Sequence, residues 1–153
     1  MVIASVDSFG YRLFLLLHIL AIIVAFAPAF VVPIVTARLK RAGQSLTQMP
    51  EMAKQFAANS KQIHGPALAL AGLFGFAMIG LSDQAWKFSD SWISIALVLW
   101  FIMLGVVFAL LIPAERKAGR GEAGAEERIA AFGGMIHILL LLMLIDMIWK
   151  PFR

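Results

Sequence analysis

The 153-residue sequence contains no cysteine, and this absence excludes disulfide bonds, thiolate metal sites and thiol catalysis. Charged residues are also scarce: they make up 14% of the chain, whereas a soluble domain has about 25%. Hydrophobic residues make up 61%, against roughly 45–50% in a soluble domain. Because these few polar side chains cannot cover a water-facing surface, the composition indicates an integral membrane protein.

The sequence also lacks the motifs of soluble enzymes: there is no phosphate-binding loop, no nucleophile elbow and no HExxH zinc motif. No apolar segment alternates with period two, so we expect helices rather than a β-barrel. The net charge of +4 does not indicate nucleic-acid binding, because no basic run alternates with aromatic residues. Any chemistry would therefore take place within the membrane.

Four apolar segments approach the length of about 20 residues that a helix needs to cross about 30 Å of hydrocarbon. They cover 11–36, 66–81, 92–112 and 129–149, and the second is the shortest. The first is too long for the core of a secretory signal, and Asp7 or Ser8 could cap its start. The sequence therefore predicts one all-α domain, a four-helix antiparallel transmembrane bundle.

Lysine and arginine placement predicts the orientation of this bundle. Nine of these residues lie in the connections after the first and third spans, and four lie on the opposite side. This excess predicts that both long connections are cytoplasmic and that both termini lie outside a bacterial inner membrane. Trp86, Trp92 and Trp149 fall near the predicted outer boundary, where aromatic belts occur.

The first long connection contains an amphipathic segment at about 46–63. Its apolar residues recur at helical spacings: Leu46, Met49, Met52, Phe56 and Ile63. The rest of the segment is basic and contains Lys54 and Lys61. We expect a helix that lies on the inner leaflet, either as a linker resting on lipid or as a docking surface for a partner.

Small residues predict which helical faces turn inward, because helices associate in lipid through close packing of small side chains. Spans one, two and four carry such residues at intervals of four: Ala21, Ala25 and Ala29; Ala67, Ala71 and Gly75; Ala130 and Gly134. Each stripe leads to a histidine, namely His18, His64 or His137. We therefore expect all three histidines on inward faces.

Ionisable residues within spans are functional candidates, because burying them in lipid is costly. His18 lies about 11 Å and His137 about 18 Å from the outer end of its span, and His64 is expected at the cytoplasmic mouth of span two. Only His18 and His137 could approach each other, and two such imidazoles could hold a b-type haem. The alternatives are a proton- or quinone-linked role, or hydrogen bonds that tie helices together.

Asp146 lies on the face of span four opposite His137. It precedes Lys150 by one helical turn, a spacing at which the two side chains can pair. Alternatively, Asp146 lies at the mouth of an outer pocket where Arg12 and Lys150 contact an anionic group such as a haem propionate. The methionines show no spacing suited to copper and are interpreted as core residues.

Two short motifs resemble a known group of proteins. The first is Leu17-His18-Ile19-Leu20-Ala21, followed by Pro33 and the basic run 38–41, and the second is the ending 146–152 with its closing KPF. They resemble a family of small four-span bacterial membrane proteins of unknown function. That family is related in layout to the CopD copper-resistance proteins and the HemJ-type protoporphyrinogen oxidases. The resemblance implies that His18 corresponds to a first-span histidine linked to haem in the HemJ-type enzymes.

The third span departs from the HemJ-type pattern, because it carries neither the lysine nor the histidine of those enzymes. The sequence therefore predicts a small membrane subunit or accessory protein of a larger, redox or respiratory assembly, without catalysis of its own. Its expected partners are lipid, other membrane subunits or a second copy. The alternatives are a haem b-binding redox protein or HemJ-like oxidase that uses His18 and His137, and transport of copper or a small solute.

Overall fold

A computed structural model of the protein describes residues 5–151, so Phe152 of the closing motif lies outside the described residues. All regular elements of the described part are helical. The helices are α1 (Phe9–Arg41), α2 (Pro50–Asn59), α3 (Gly65–Gly80), α4 (Ser91–Gly105), α5 (Ile112–Ala118) and α6 (Ala125–Trp149). A π-helical turn at Ser60–His64 joins α2 to α3, and another at Val106–Leu111 joins α4 to α5.

Because the π turns are continuous with their neighbours, residues 5–151 contain four long helical rods. Each is long and apolar enough to cross a membrane: Phe9–Arg41, Pro50–Gly80, Ser91–Ala118 and Ala125–Trp149. This confirms the all-helical class and the number of candidate spans. The rods extend past the predicted limits because helical geometry continues into polar sequence at the ends of the apolar segments.

The limits of α1 follow from its end residues. Ser8 caps the first turn, and its hydroxyl accepts a hydrogen bond of 3.2 Å from the backbone N–H of Tyr11. The last turn carries Arg38, Lys40 and Arg41, whose positive charges suit the negative end of a helix dipole. Pro28 and Pro33 lie within the helix and remove two backbone donors.

The amphipathic segment predicted at 46–63 forms a short 3-10 turn, then α2, then the first π turn. Ser45 and Gln48 form a reciprocal capping box at its start. Its apolar face packs on α5 and the start of α6. This cluster contains Leu46, Ala53, Ala114, Ala118, Ala125 and Ile129. The face that the sequence leaves open for lipid or a partner is therefore largely covered by the chain itself.

The main core lies between the rods, with α3 against α1 and α4 against α6. Its buried residues are Phe26, Leu68, Met103, Val106, Val107, Ile112, Ile136 and Leu139. Trp100 of α4 lies against α3 and donates a hydrogen bond of 2.8 Å to the carbonyl of Leu68. Its indole ring occupies the space where a Cβ on Gly72 would be, so only glycine fits this contact.

Two groups of contacts define the ends of the molecule. At the first, the Trp86 end, the indole N–H of Trp86 donates to the hydroxyl of Tyr11 at 3.1 Å. Lys150 Nζ lies 3.8 Å from the centroid of the Trp86 ring. At the other, the Lys40 end, the backbone N–H of Thr47 donates to Glu126 at 2.9 Å. This bond ties the connection after α1 to the start of α6.

Candidate functional site

A cavity of about 540 Å³ separates α1 from α6 in the half of the molecule nearer the Lys40 end. Small or apolar residues form most of its two walls. The α1 wall contains Ala25, Pro28, Ala29, Val32, Pro33 and Ala37, and the α6 wall contains Ile129, Ala130, Gly133, Gly134 and Ile136. Ala130 and Gly134 are exposed, so the cavity is an open cleft. The small-residue stripe of span four therefore lines a gap, whereas the sequence predicts that it packs against a helix.

The floor of this cleft is supplied by the two π turns and by one residue of α5. Ser60 and His64 come from the first turn, Val107 and Leu111 from the second, and Glu115 lies one turn further along α5. A π turn rotates the side chains that follow it relative to a regular α-helix, and such turns are frequent at functional sites. Both π turns thus contribute to the same cavity.

Glu115 is the most unusual residue of the cleft, because its carboxyl group is almost completely buried, with 2% of the residue exposed. The hydroxyl of Ser60 donates to its Oε1 atom at 3.0 Å. Its Oε2 atom is buried and has no hydrogen-bond partner within residues 5–151. Buried polar groups are normally paired, so an unpaired carboxylate oxygen beside a cavity is a candidate binding group.

Glu115 is not among the predicted site residues, because it lies two residues after Pro113, at the start of a segment whose mixed charges predict a solvated loop. Its helical spacing from earlier apolar residues nevertheless indicates a buried position. Glu115 lies four residues after Leu111 and eight after Val107, so it continues the buried face of the third rod.

His64 lies deeper than the predicted position at the mouth of span two. Its Nδ1 atom is 2.7 Å from the carbonyl oxygen of Val24, near the middle of α1. Pro28 has no N–H, so it cannot donate to this carbonyl four residues earlier, and His64 supplies the missing donor. The difference arises because the second rod begins at Pro50, which places His64 within the helix rather than at its start.

His137 also lines the cleft, and it belongs to α6. Its Nδ1 atom is 2.8 Å from the carbonyl oxygen of Gly133, and its ring meets the ring of Phe30 edge to face at 5.4 Å between centroids. A carbonyl oxygen only accepts hydrogen bonds. Nδ1 of His137 must therefore carry a proton, which leaves Nε2 as the acceptor of the neutral ring.

His18 does not line this cleft. Its Nδ1 atom lies 2.6 Å from the carbonyl oxygen of Ala71, and its ring lies over Gly75, so it joins α1 to α3. Twelve residues, about 18 Å of helix, separate it from Phe30, which His137 contacts. The structure brings His64 and His137 to one cavity and leaves His18 at another level, so it does not favour one haem held by His18 and His137.

The remaining predicted site residues lie at the Trp86 end. Asp146 is buried, with 3% of the residue exposed, and neither of its carboxylate oxygens has a hydrogen-bond partner within the described part of the chain. Arg12 forms an ion pair of 3.1 Å with Asp7, and Lys150 lies over the Trp86 ring. Both predicted anion contacts thus have partners within the chain.

Residues 5–151 contain no group of three histidine, aspartate or glutamate side chains placed to hold a metal ion. Comparisons with models of protein families, with curated proteins and with solved structures find no match for the chain. The resemblance to small four-span bacterial membrane proteins therefore stays a prediction. The hydropathy and fold define an all-helical protein with four helices suited to cross a membrane, and a cleft between the first and last of them.

Proposed function

We propose that the protein is a multi-pass accessory protein of a bacterial inner membrane that holds a small amphiphilic molecule in the cleft between α1 and α6. The cleft carries this proposal. Its volume of about 540 Å³ falls within the range of about 300–1,000 Å³ found for small-molecule sites. Apolar walls with a few polar groups at the floor are also typical of such sites.

In the proposed topology the four rods alternate in direction, both termini lie outside, and the Lys40 end lies in the cytoplasm. The basic side chains near the Lys40 end support this orientation. The cleft then opens in the inner half of the bilayer. Because Ala130 and Gly134 in its wall are exposed along α6, an amphiphilic molecule could enter from the lipid.

The test is native mass spectrometry of the protein released from a mild detergent. The wild type is expected to retain an adduct of discrete mass that is not a phospholipid. Gly133→Leu should lose this adduct, because a side chain at this open position fills the cleft. Gly105→Leu is the matched control, since Gly105 is also open but does not line the cleft. Absence of an adduct from the wild type, or its survival in Gly133→Leu, would refute the proposal.

Membership of a larger membrane assembly, redox or respiratory, is the second part of the proposal. It is supported by the exposed pair Ala130 and Gly134, since small residues at this spacing allow a second helix to approach closely. A photoreactive amino acid at Ala131, on the exposed face of α6 beside this pair, should crosslink to one discrete membrane protein or to a second copy. The same amino acid at Phe101, on the exposed face of α4, should crosslink only to lipid. Equal patterns at both positions would contradict assembly through α6.

A haem b-binding redox role is the alternative candidate, and one observation favours it. His137 donates through Nδ1 to a backbone carbonyl, the arrangement that orients ligating histidines and leaves Nε2 for a metal. Haem would then bind in the cleft through His137 rather than between His137 and His18. A Soret band that His137→Ala abolishes and His18→Ala preserves would support this role, and a colourless folded protein would eliminate it.

A further inference from the structure

The polar groups at the floor of the cleft and in its middle share one property: each has an atom that can accept a hydrogen bond. His64 and His137 each donate through Nδ1 to a carbonyl, so each neutral ring keeps an acceptor at Nε2. Ser60 gives its hydroxyl proton to Glu115. Pro33 has no N–H to donate to the carbonyl of Ala29, another residue of the wall. A molecule that complements these groups must itself be a hydrogen-bond donor.

The charged groups of the cleft favour a cation. One lysine, Lys40, and three glutamates, Glu115, Glu126 and Glu127, line it. Lys40 and Glu127 are exposed at the rim, and Glu126 accepts a hydrogen bond from the backbone of Thr47. Glu115 is the one acidic group at the floor, where a carboxylate with one unpaired oxygen would be costly and a bound positive charge would offset that cost.

The bonding of Glu115 also selects the kind of cation. Its Oε1 atom already accepts from Ser60, which leaves Oε2 for a ligand. A guanidinium binds carboxylates best through both oxygens at once, whereas an ammonium is a compact charge that needs only one. The apolar walls of the cleft then suit a hydrocarbon or aromatic body attached to the charged group.

We infer that the molecule held in the cleft is a lipophilic amine, with a protonated amino group that donates to Oε2 of Glu115 and an apolar body between α1 and α6. This inference rests on the proposed function, because it names the class of molecule that the same cleft binds. It extends that function by assigning Glu115 as the counter-ion of the ligand and Ser60 as the residue that orients the carboxylate.

The test uses two photoreactive probes in lipid nanodiscs. One is an alkyl diazirine that ends in a primary amine, and the other is its neutral N-acetyl analogue. Labelled residues are mapped by mass spectrometry, with an excess of the same compound without the diazirine as competitor. Labelling of a defined site is saturable, whereas labelling of lipid-facing side chains is not.

The amine probe should label the cleft of the wild type in a saturable way, and the N-acetyl probe should bind at least about tenfold more weakly. Glu115→Gln keeps an oxygen for Ser60 and replaces Oε2 with a donor, so it should weaken the amine probe by a similar factor. Glu122→Gln is the matched control, because Glu122 pairs with Arg120 outside the cleft and should leave labelling unchanged. Gly133→Leu should abolish saturable labelling while leaving Glu115 in place.

The outcomes separate this inference from the proposed function. Equal saturable labelling by both probes would overturn the amine inference and leave ligand binding in the cleft standing. Saturable amine labelling that survives in a folded Glu115→Gln protein would also overturn the inference. If Glu115→Gln does not fold, the comparison of the two probes on the wild type decides the matter. No saturable labelling by either probe would overturn both proposals.

Discussion

Removal of His64 tests whether this side chain supplies the donor that Pro28 removes from α1. In the structure, the carbonyl of Val24 has lost its usual partner four residues later and accepts from His64 Nδ1 at 2.7 Å. This bond lies on an exposed face of α1, which faces lipid in the proposed topology, and an acceptor left there without a donor costs about 1–3 kcal/mol, as a buried acceptor does. His64→Ala should therefore destabilise the protein by at least that amount, in addition to the packing that it loses.

A double-mutant cycle with Pro28→Ala isolates the hydrogen-bond part of this cost. Alanine at position 28 restores an N–H that can bond the carbonyl of Val24, so His64→Ala should then cost about 1–2 kcal/mol less than in the wild type. Losses of packing cancel, provided that they are the same in both backgrounds. Unfolding by a denaturing detergent in mixed micelles, followed by circular dichroism, measures each free energy of unfolding.

His18→Ala is the control for this cycle. His18 bonds the carbonyl of Ala71 on another helix, so Pro28→Ala should leave the cost of His18→Ala unchanged within about 0.5 kcal/mol. A coupling free energy of zero between His64→Ala and Pro28→Ala would refute the idea that His64 replaces the missing N–H. A coupling of the same size between His18→Ala and Pro28→Ala would refute it as well.

Two further predictions concern single contacts, both measured by the same unfolding assay. Gly72→Ala should destabilise the protein by about 1–3 kcal/mol, because the added Cβ overlaps the ring of Trp100. Gly133→Ala should not destabilise it in this way, because no side chain or neighbouring backbone lies within 4 Å of the added Cβ. Similar effects of the two substitutions would contradict this close contact. Ser60→Ala removes the donor to Glu115 and should cost about 1–3 kcal/mol, whereas Ser91→Ala at an exposed position should cost less than about 0.5 kcal/mol. Equal costs would mean that the buried bond does not form.

Hydropathy predicted the helical class and the number of long helices, because runs of apolar residues leave little alternative to a helix in lipid. It could not predict where each helix ends, since the rods continue through polar residues such as Lys61 that no longer carry the hydropathy signal. For the same reason, His64 was expected at the mouth of a helix, and the continuity of α2 with α3 through a π turn was not predicted.

The cleft shows a second limit of sequence reasoning. Small residues at intervals of four predict a close approach of helices, yet Ala130 and Gly134 line a gap while Ala67 and Ala71 pack as expected. Spacing identifies a face that permits close approach but does not say which neighbour fills it. Glu115 was not predicted because the sequence after Pro113 has the mixed charge of a solvated loop, although the spacing of Glu115 from Leu111 and Val107 is that of a buried helical face.

Single-cysteine labelling tests the orientation and the cleft together, and the chain has no native cysteine that would react with the label. Ala130→Cys places a thiol in the cleft near the start of α6, and Phe101→Cys places one on an exposed apolar face of α4. In inside-out membrane vesicles, a membrane-impermeant maleimide should react with position 130 and not with position 101. In intact cells with the outer membrane permeabilised, neither position should react. Labelling of position 130 only from the outside would contradict the orientation, and failure to label it from either side would contradict a cleft that water reaches from the Lys40 end.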